Sequence, residues 1–214
     1  MDIIEKATVI HYHRHRIRTY SEGTAKALGW RGPESQTRRF EVLAGVGDLR
    51  GCSVLDVGCG HADLKAFLDR TASDVTYLGL DQMPEFVTEA QARYQDDPRA
   101  TILQADFTTA TLPEVDYVLA SGALAYRCAD PDFHLRMIER MWTVARRALG
   151  FNMLRKEVFP EHPLLVGHDL DQVVAFCKGL SGDVEVVEGY LDDDFTVFVR
   201  ADGSTNPRID MPSP

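Results

Sequence analysis

The sequence has no paired cysteines and no long apolar run. Cys52, Cys59, Cys128 and Cys177 are scattered without a C-x-x-C pair, which excludes a zinc knuckle or a dithiol motif and reads as reduced thiols. No apolar stretch approaches the roughly 18 residues that a bilayer span requires, so no membrane partner is expected. The opening MDIIEKATVI is too acidic and too poor in apolar side chains for a secretory leader, so the expected compartment is the cytoplasm. Basic charge is also short: 23 Lys and Arg stand against 33 Asp and Glu, a net charge of −10. A chain whose main partner is a nucleic-acid backbone wants a basic face, and this balance argues against one. His11, His13 and His15 alternate two apart, which on a helix spreads them around the axis instead of forming a ligand face, and no metal is expected. Internal repeats are missing as well.

What remains is an ordinary globular composition, 44% apolar and 26% charged over 214 residues, enough for one α/β domain with a buried core. The most informative stretch is Val54-Leu55-Asp56-Val57-Gly58-Cys59-Gly60-His61-Ala62-Asp63-Leu64. A strand-like apolar run carries an acid, and a glycine-spaced turn then opens into a helical pattern. Gly58 and Gly60 permit backbone angles that a Cβ would forbid and let a ligand lie against the main chain. A dinucleotide fingerprint would place a third glycine where Asp63 stands, and a carboxylate there repels a diphosphate. S-adenosylmethionine (SAM) has no phosphate and carries an ammonium and a sulfonium, so an acid-rimmed turn suits it better.

The segment VLDVGCGHADL is similar to the first motif of the class I SAM-dependent methyltransferases, with Ala62 where that family most often has a third glycine. The resemblance implies a doubly wound α/β sheet of seven strands, mostly parallel with an antiparallel last strand, and helices on both faces. Residue patterning agrees. Strands are expected at about 75–80, 100–105, 116–120, 148–154, 184–187 and 195–199, with the acidic link Asp192-Asp193-Asp194 turning the last one back. Helices are expected from Ser35 as N-cap to about Val46 with Pro33 in the preceding turn, from Asp63 to Arg70, from Pro84, from Asp130 with Pro131 at the first position, and from Asp169. Residues 1–50 then form a helical N-terminal extension or lid, 51–200 the SAM-binding domain and 201–214 a disordered tail.

Asp56, Asp81 and Asp106 recur at equal intervals, at or near carboxyl ends of expected strands, and so converge on one crevice. Asp81, about 20 residues beyond the turn, fits the acceptor for a ribose diol. The resemblance implies that Asp106 accepts from the adenine amine with the Phe107 N–H on the ring. Gln82 and Met83 would cover the adenine, Asp56 would orient the methionyl ammonium, and Ser121 would touch the donor's methionine. It also implies donor contacts from Gln36 and Arg39, and an arginine of this segment, Arg16 or Arg39, can pair with the methionyl carboxylate. With Gly58, Cys59 and Gly60 these form the expected cofactor set. After the fourth strand, N-P-P-Y and D-P-P-Y are both missing, which disfavours base or amide methylation. Methyl transfer from an activated sulfonium needs alignment more than acid–base help, so no catalytic residue stands out. His61, Tyr126 and His168 are candidates, and His162 lies in the same loop as His168. The expected reaction is methylation of a small molecule by a monomer or homodimer. An RNA or protein acceptor, and a non-catalytic SAM-binding module, stay open as alternatives.

Overall fold

The computed structural model describes residues 1–21 and 23–201, so all of the tail expected over 201–214 but Ala201, whose N–H donates to the Arg147 carbonyl, lies outside the described residues. The chain folds as α1 (Ile3–Tyr20), α2 (Pro33–Leu43), a 3-10 turn (Ala44–Val46), β1 (Ser53–Val57), α3 (Asp63–Thr71), β2 (Thr76–Asp81), α4 (Pro84–Tyr94), β3 (Ala100–Gln104), β4 (Val115–Ala120), α5 (Phe133–Trp142), β5 (Ala145–Leu154), α6 (Leu170–Leu180), β6 (Asp183–Val187) and β7 (Asp194–Arg200). The sheet order is β3-β2-β1-β4-β5-β7-β6. β7 runs antiparallel to both β5 and β6, and the pairs β1–β2, β1–β4, β2–β3 and β4–β5 are parallel. This is the seven-stranded class I arrangement. Its strand order reverses between β1 and β4, which opens a crevice at their carboxyl ends.

The central strands are buried on both faces, so they read as continuous apolar runs. On one face Ile138 and Met141 of α5 and Val173 and Cys177 of α6 pack with Leu55, Val118 and Val197. On the other, Phe40 and Leu43 of α2 and Leu64, Phe67 and Leu68 of α3 pack with Val54, Tyr117 and Phe198. Val87 and Ala90 of α4 pack there on Tyr77 and Ile102.

Two helix starts differ from the sequence expectation. α2 begins with Pro33 at its first position and Gly32 as N-cap, and Ser35 lies inside, its hydroxyl donating to the Gly32 carbonyl at 2.9 Å. Proline's fixed φ suits a first turn whose N–H needs no partner. α5 starts at Phe133 with Asp132 at the cap, because the Asp130 carboxylate accepts from the Asp132 N–H in a local turn first. Asp169 does cap α6, accepting from Gln172 N–H. α1 is fixed by a capping box between Asp2 and Glu5. Only Val9 and His13 of α1 are buried. The helix lies across the sheet's carboxyl edge, tied by Lys6 to Asp106, by Arg14 to Glu85 and by Glu5 to the Ala129 N–H.

Candidate functional site

At the carboxyl end of β1 the chain makes two left-handed steps, Gly58 at φ 74° and Gly60 at φ 55°, and a third at Ala62 at φ 56°. Ala62 is the position where the resembling family has glycine, and an alanine there bears a left-handed penalty of about 1–2 kcal/mol. The turn is drawn against β2: Gly58 and Cys59 N–H groups donate to the Leu80 carbonyl. A Cβ on Gly79 would stand 2.9 Å from Cys59 Sγ. Asp81 completes the turn, its carboxylate accepting from Gly60 N–H at 2.9 Å and Met83 N–H at 2.8 Å.

Above this turn lies a cavity of about 470 Å³, within the usual range for small-ligand sites. Asp56, Gly58, Cys59, Gly60, Asp81, Gln82, Met83, Asp106, Phe107, Ser121 and Arg39 all line it, as do Gln36 and Tyr126. Two of the three catalytic candidates do not. His61 is fully buried rather than an exposed turn residue, its ring edge-on to Phe86 at 4.9 Å and both nitrogens without hydrogen bonds. His168 lies behind the wall, Nε2 on the Leu124 carbonyl at 3.1 Å and its ring 4.2 Å from His134. Burial lowers its pKa to about 4, with the neighbouring His134 adding to the shift. His162 does line the cavity, but its Nδ1 accepts from Leu164 and Leu165 N–H.

The acids sit in unlike environments. Asp56 is 2% exposed and takes a 2.6 Å bond from the Tyr77 hydroxyl. Burial raises its pKa to about 7, with the charges of Asp81 and Asp63 adding to the shift. Burial also raises Asp81, against the pull of its backbone donors. Asp106 is lowered: burial acts upward, but donors from Lys6 and Thr108 outweigh it. A buried and a half-buried carboxylate, both pushed upward beside a glycine turn, fit a guest that brings a cation and hydroxyl donors.

The roof comes from residues 1–40, which contribute Tyr12, His13, Arg16, Leu28 and Trp30 to the lining. Close packing makes glycine necessary beneath it: a Cβ on Gly60 would meet Leu28 at 2.6 Å, and one on Gly122 would meet Trp30 at 2.6 Å. Trp30 stacks on the Arg39 guanidinium at 4.7 Å. That guanidinium already has protein partners. It pairs with buried Asp194 and donates to the Ser35 carbonyl.

Among the lining residues that escaped the sequence reading are Asn152, Asp194 and His13. Asn152 of β5 is 2% exposed and accepts from Gly122 N–H at 2.9 Å. A polar residue near the end of an apolar strand was the available signal. Asp194 looked like part of an acidic link. His13 was one of three alternating histidines, and nothing in that spacing told which one turns inward.

Comparison with known proteins agrees with this geometry. Residues 54–148 match a family described as a methyltransferase domain. The chain is 34% identical over 161 residues to the Mycobacterium tuberculosis protein Rv1506c, named as a methyltransferase, covering 69% of this chain and 92% of that one. It is 28% identical over 175 residues to the magnesium-protoporphyrin O-methyltransferase of Rhodobacter capsulatus, covering 74% and 76%. The fold matches the SAM-bound magnesium protoporphyrin IX methyltransferase of Synechocystis, with a TM-score of 0.68, 19% identity and coverage of 94% and 98%. It also matches the N-methyltransferase NodS of Bradyrhizobium japonicum with S-adenosylhomocysteine, with a TM-score of 0.66, 16% identity and coverage of 89% and 98%.

Proposed function

The chain belongs to the class I SAM-dependent methyltransferases, and from that premise we propose that it transfers the methyl group to a small-molecule acceptor inside the roofed cavity. The observation that carries this reading is the roof. Tyr12, Leu28 and Trp30 from the N-terminal segment and Phe159, Pro160 and Leu165 from the loop after β5 line the same cavity as Asp56 and Asp81. That enclosure suits an acceptor that enters whole. Two relatives that are magnesium-protoporphyrin methyltransferases support the small-molecule class.

Within this reading each residue has a task. Asp81, anchored by the Gly60 and Met83 N–H groups, offers its remaining lone pairs to the ribose hydroxyls. Asp56 takes the methionyl ammonium, directly or through water. Gly58, Cys59, Gly60 and Ser121 form the floor, and Gln82, Met83, Asp106 and Phe107 surround the adenine. Arg39, engaged with Asp194, holds Trp30 in the roof. Residues 1–50 act as a lid on the 51–200 domain and exclude water from the reacting groups. SAM supplies an activated methyl on a good leaving group, so the protein's main work is alignment.

The test is incubation with methyl-labelled SAM and a cell extract split into low-molecular-mass and macromolecular fractions. Label in the small fraction is expected. A chain lacking residues 1–20 should fold and bind SAM but turn over slowly. Label confined to RNA or protein would overturn the small-molecule reading.

A further inference from the structure

The wall of the cavity holds a hydrogen-bonded pair of titratable groups, one buried and one half-buried, that alignment alone does not need. His13 Nε2 lies 2.5 Å from the Tyr126 hydroxyl, and both residues line the cavity. They come from separate elements, His13 from α1 in the roof and Tyr126 from the loop after β4. The pair therefore exists only while the roof is docked.

Both partners are held in place. The Tyr126 carbonyl accepts from His134 Nε2 at 2.8 Å, and the Ala125 carbonyl accepts from Val166 N–H at 2.9 Å. The Leu124 carbonyl takes His168. The candidate histidine behind the wall thus helps fix the loop that carries the tyrosine. The His13 ring is 5% exposed, edge-on to Phe86 at 5.1 Å and to Tyr12 at 5.2 Å. Burying an imidazole and a phenol together is costly unless their polar atoms are satisfied. The hydrogen bond meets that cost only at Nε2, since Nδ1 has no partner of good geometry.

We propose that Tyr126 is a catalytic residue whose oxygen takes the acceptor's proton during methyl transfer, and that His13 positions the phenol and receives the phenol's own proton at Nε2. This rests on the methyltransferase reading above and deepens it by naming the acceptor class: a hydroxyl or amine that must shed a proton. The acceptor atom forms its bond to the methyl carbon as the carbon–sulfur bond breaks, with that electron pair leaving on sulfur. The acceptor's proton passes to Tyr126, the Tyr126 proton passes to His13, and the imidazolium releases it to water when the roof opens. One positive charge, the sulfonium's, disappears from the cavity as another, the imidazolium's, forms. The buried site never has to hold two.

Electrostatics around the pair set its starting protonation state. Burial lowers the His13 pKa to about 4, and Arg16 of its own helix and His61 of the glycine turn add to the shift, while the Ala27 carbonyl opposes it. Tyr126 is raised by burial and by Tyr12 and Asp81, with Arg16 opposing. His13 is therefore neutral beforehand and accepts the phenol hydrogen, which leaves the phenol's lone pairs facing the cavity.

One experiment tests this without knowing the acceptor. The protein is labelled with ¹⁵N-histidine and its imidazole resonances are titrated with SAM and with S-adenosylhomocysteine, His13→Gln assigning the signal. His13 is expected to titrate at lower pH with SAM, because the sulfonium opposes a second charge. Equal titration with the two ligands would overturn the proposal. The kinetic arm uses the extract fraction that takes label from wild type. Tyr126→Phe, and separately His13→Gln, which can still accept the phenol's bond but has no basic nitrogen, should each lower turnover about a hundredfold or more. SAM affinity should stay within about threefold, and the double variant should fall little further. Turnover within threefold of wild type in folded Tyr126→Phe would also overturn it. Label entering only macromolecules would defeat the small-molecule reading, yet the titration and the variant ratios would still decide the pair.

Discussion

Lys6 reaches from α1 to Asp106, Nζ to Oδ2 at 2.6 Å, and so ties the roof to the loop that follows β3. The other Asp106 oxygen accepts from the Thr108 N–H and hydroxyl at 2.9 and 2.6 Å. Asp81 instead carries one backbone N–H on each oxygen and has room for more. The two acids therefore differ in what a donor molecule can gain from them. Asp81→Ala should weaken SAM binding ten- to a hundredfold, for charge-assisted bonds worth about 1.5–3 kcal/mol. Asp106→Ala should weaken it by less than about fivefold, within the ~1 kcal/mol expected of a partly exposed ion pair. Calorimetric titration of both variants checks this, and equal losses would contradict the asymmetry.

Asp56 is expected to make the empty protein and the SAM complex respond to pH in opposite ways. Its folded pKa, about 7, stands above the unfolded value of 3.8, so the folded state holds the proton more tightly over that interval. Its contribution to stability is present below about pH 4 and is lost as pH rises towards 7. A bound ammonium favours the carboxylate, so SAM affinity should rise over the same interval and binding should release a proton near pH 6. Calorimetry at pH 6 in buffers of different ionisation enthalpy measures that proton. Asp56→Asn should abolish its release, and release unchanged in the variant would assign it elsewhere.

How much was legible in the sequence follows from the range of the forces involved. The glycine turn, the three acids and the period of the apolar residues are local signals. They located the strands and the crevice at their carboxyl ends, while the antiparallel last strand and the placing of Asp106, Ser121 and Arg39 at the cavity came from the family resemblance. What escaped depends on contacts distant in sequence. The inward turn of His13 is set by a tyrosine 113 residues away, and the commitment of Arg39 is set by Asp194 at the start of β7. His61 read as a turn residue open to solvent, and only the packing of Phe86 against it reveals burial. The misplaced starts of α2 and α5 are a different case. Serine and aspartate compete for capping with neighbouring glycine and aspartate, and side-chain turns a residue or two away decide the outcome.

Arg39 separates a structural from a ligand-binding role by free energy. Its side chain is 8% exposed and that of its partner Asp194 only 1%. The Tyr190 hydroxyl adds a 2.9 Å bond to the same carboxylate. Burial raises the Asp194 pKa to about 6, with Arg39 and Tyr190 pulling the other way. Arg39→Ala strands that acid in a low-dielectric wall, and removing one partner of a buried pair costs about 3–5 kcal/mol. It also removes the guanidinium beneath Trp30. A pronounced fall in melting temperature is expected, with SAM affinity weakened only through the loosened roof. The double variant Arg39→Met with Asp194→Asn should recover much of the loss, because neither charge is then left alone. Differential scanning calorimetry on the single and double variants, beside SAM titration, reads both quantities. Unchanged melting with SAM bound a hundredfold more weakly would return Arg39 to the donor carboxylate.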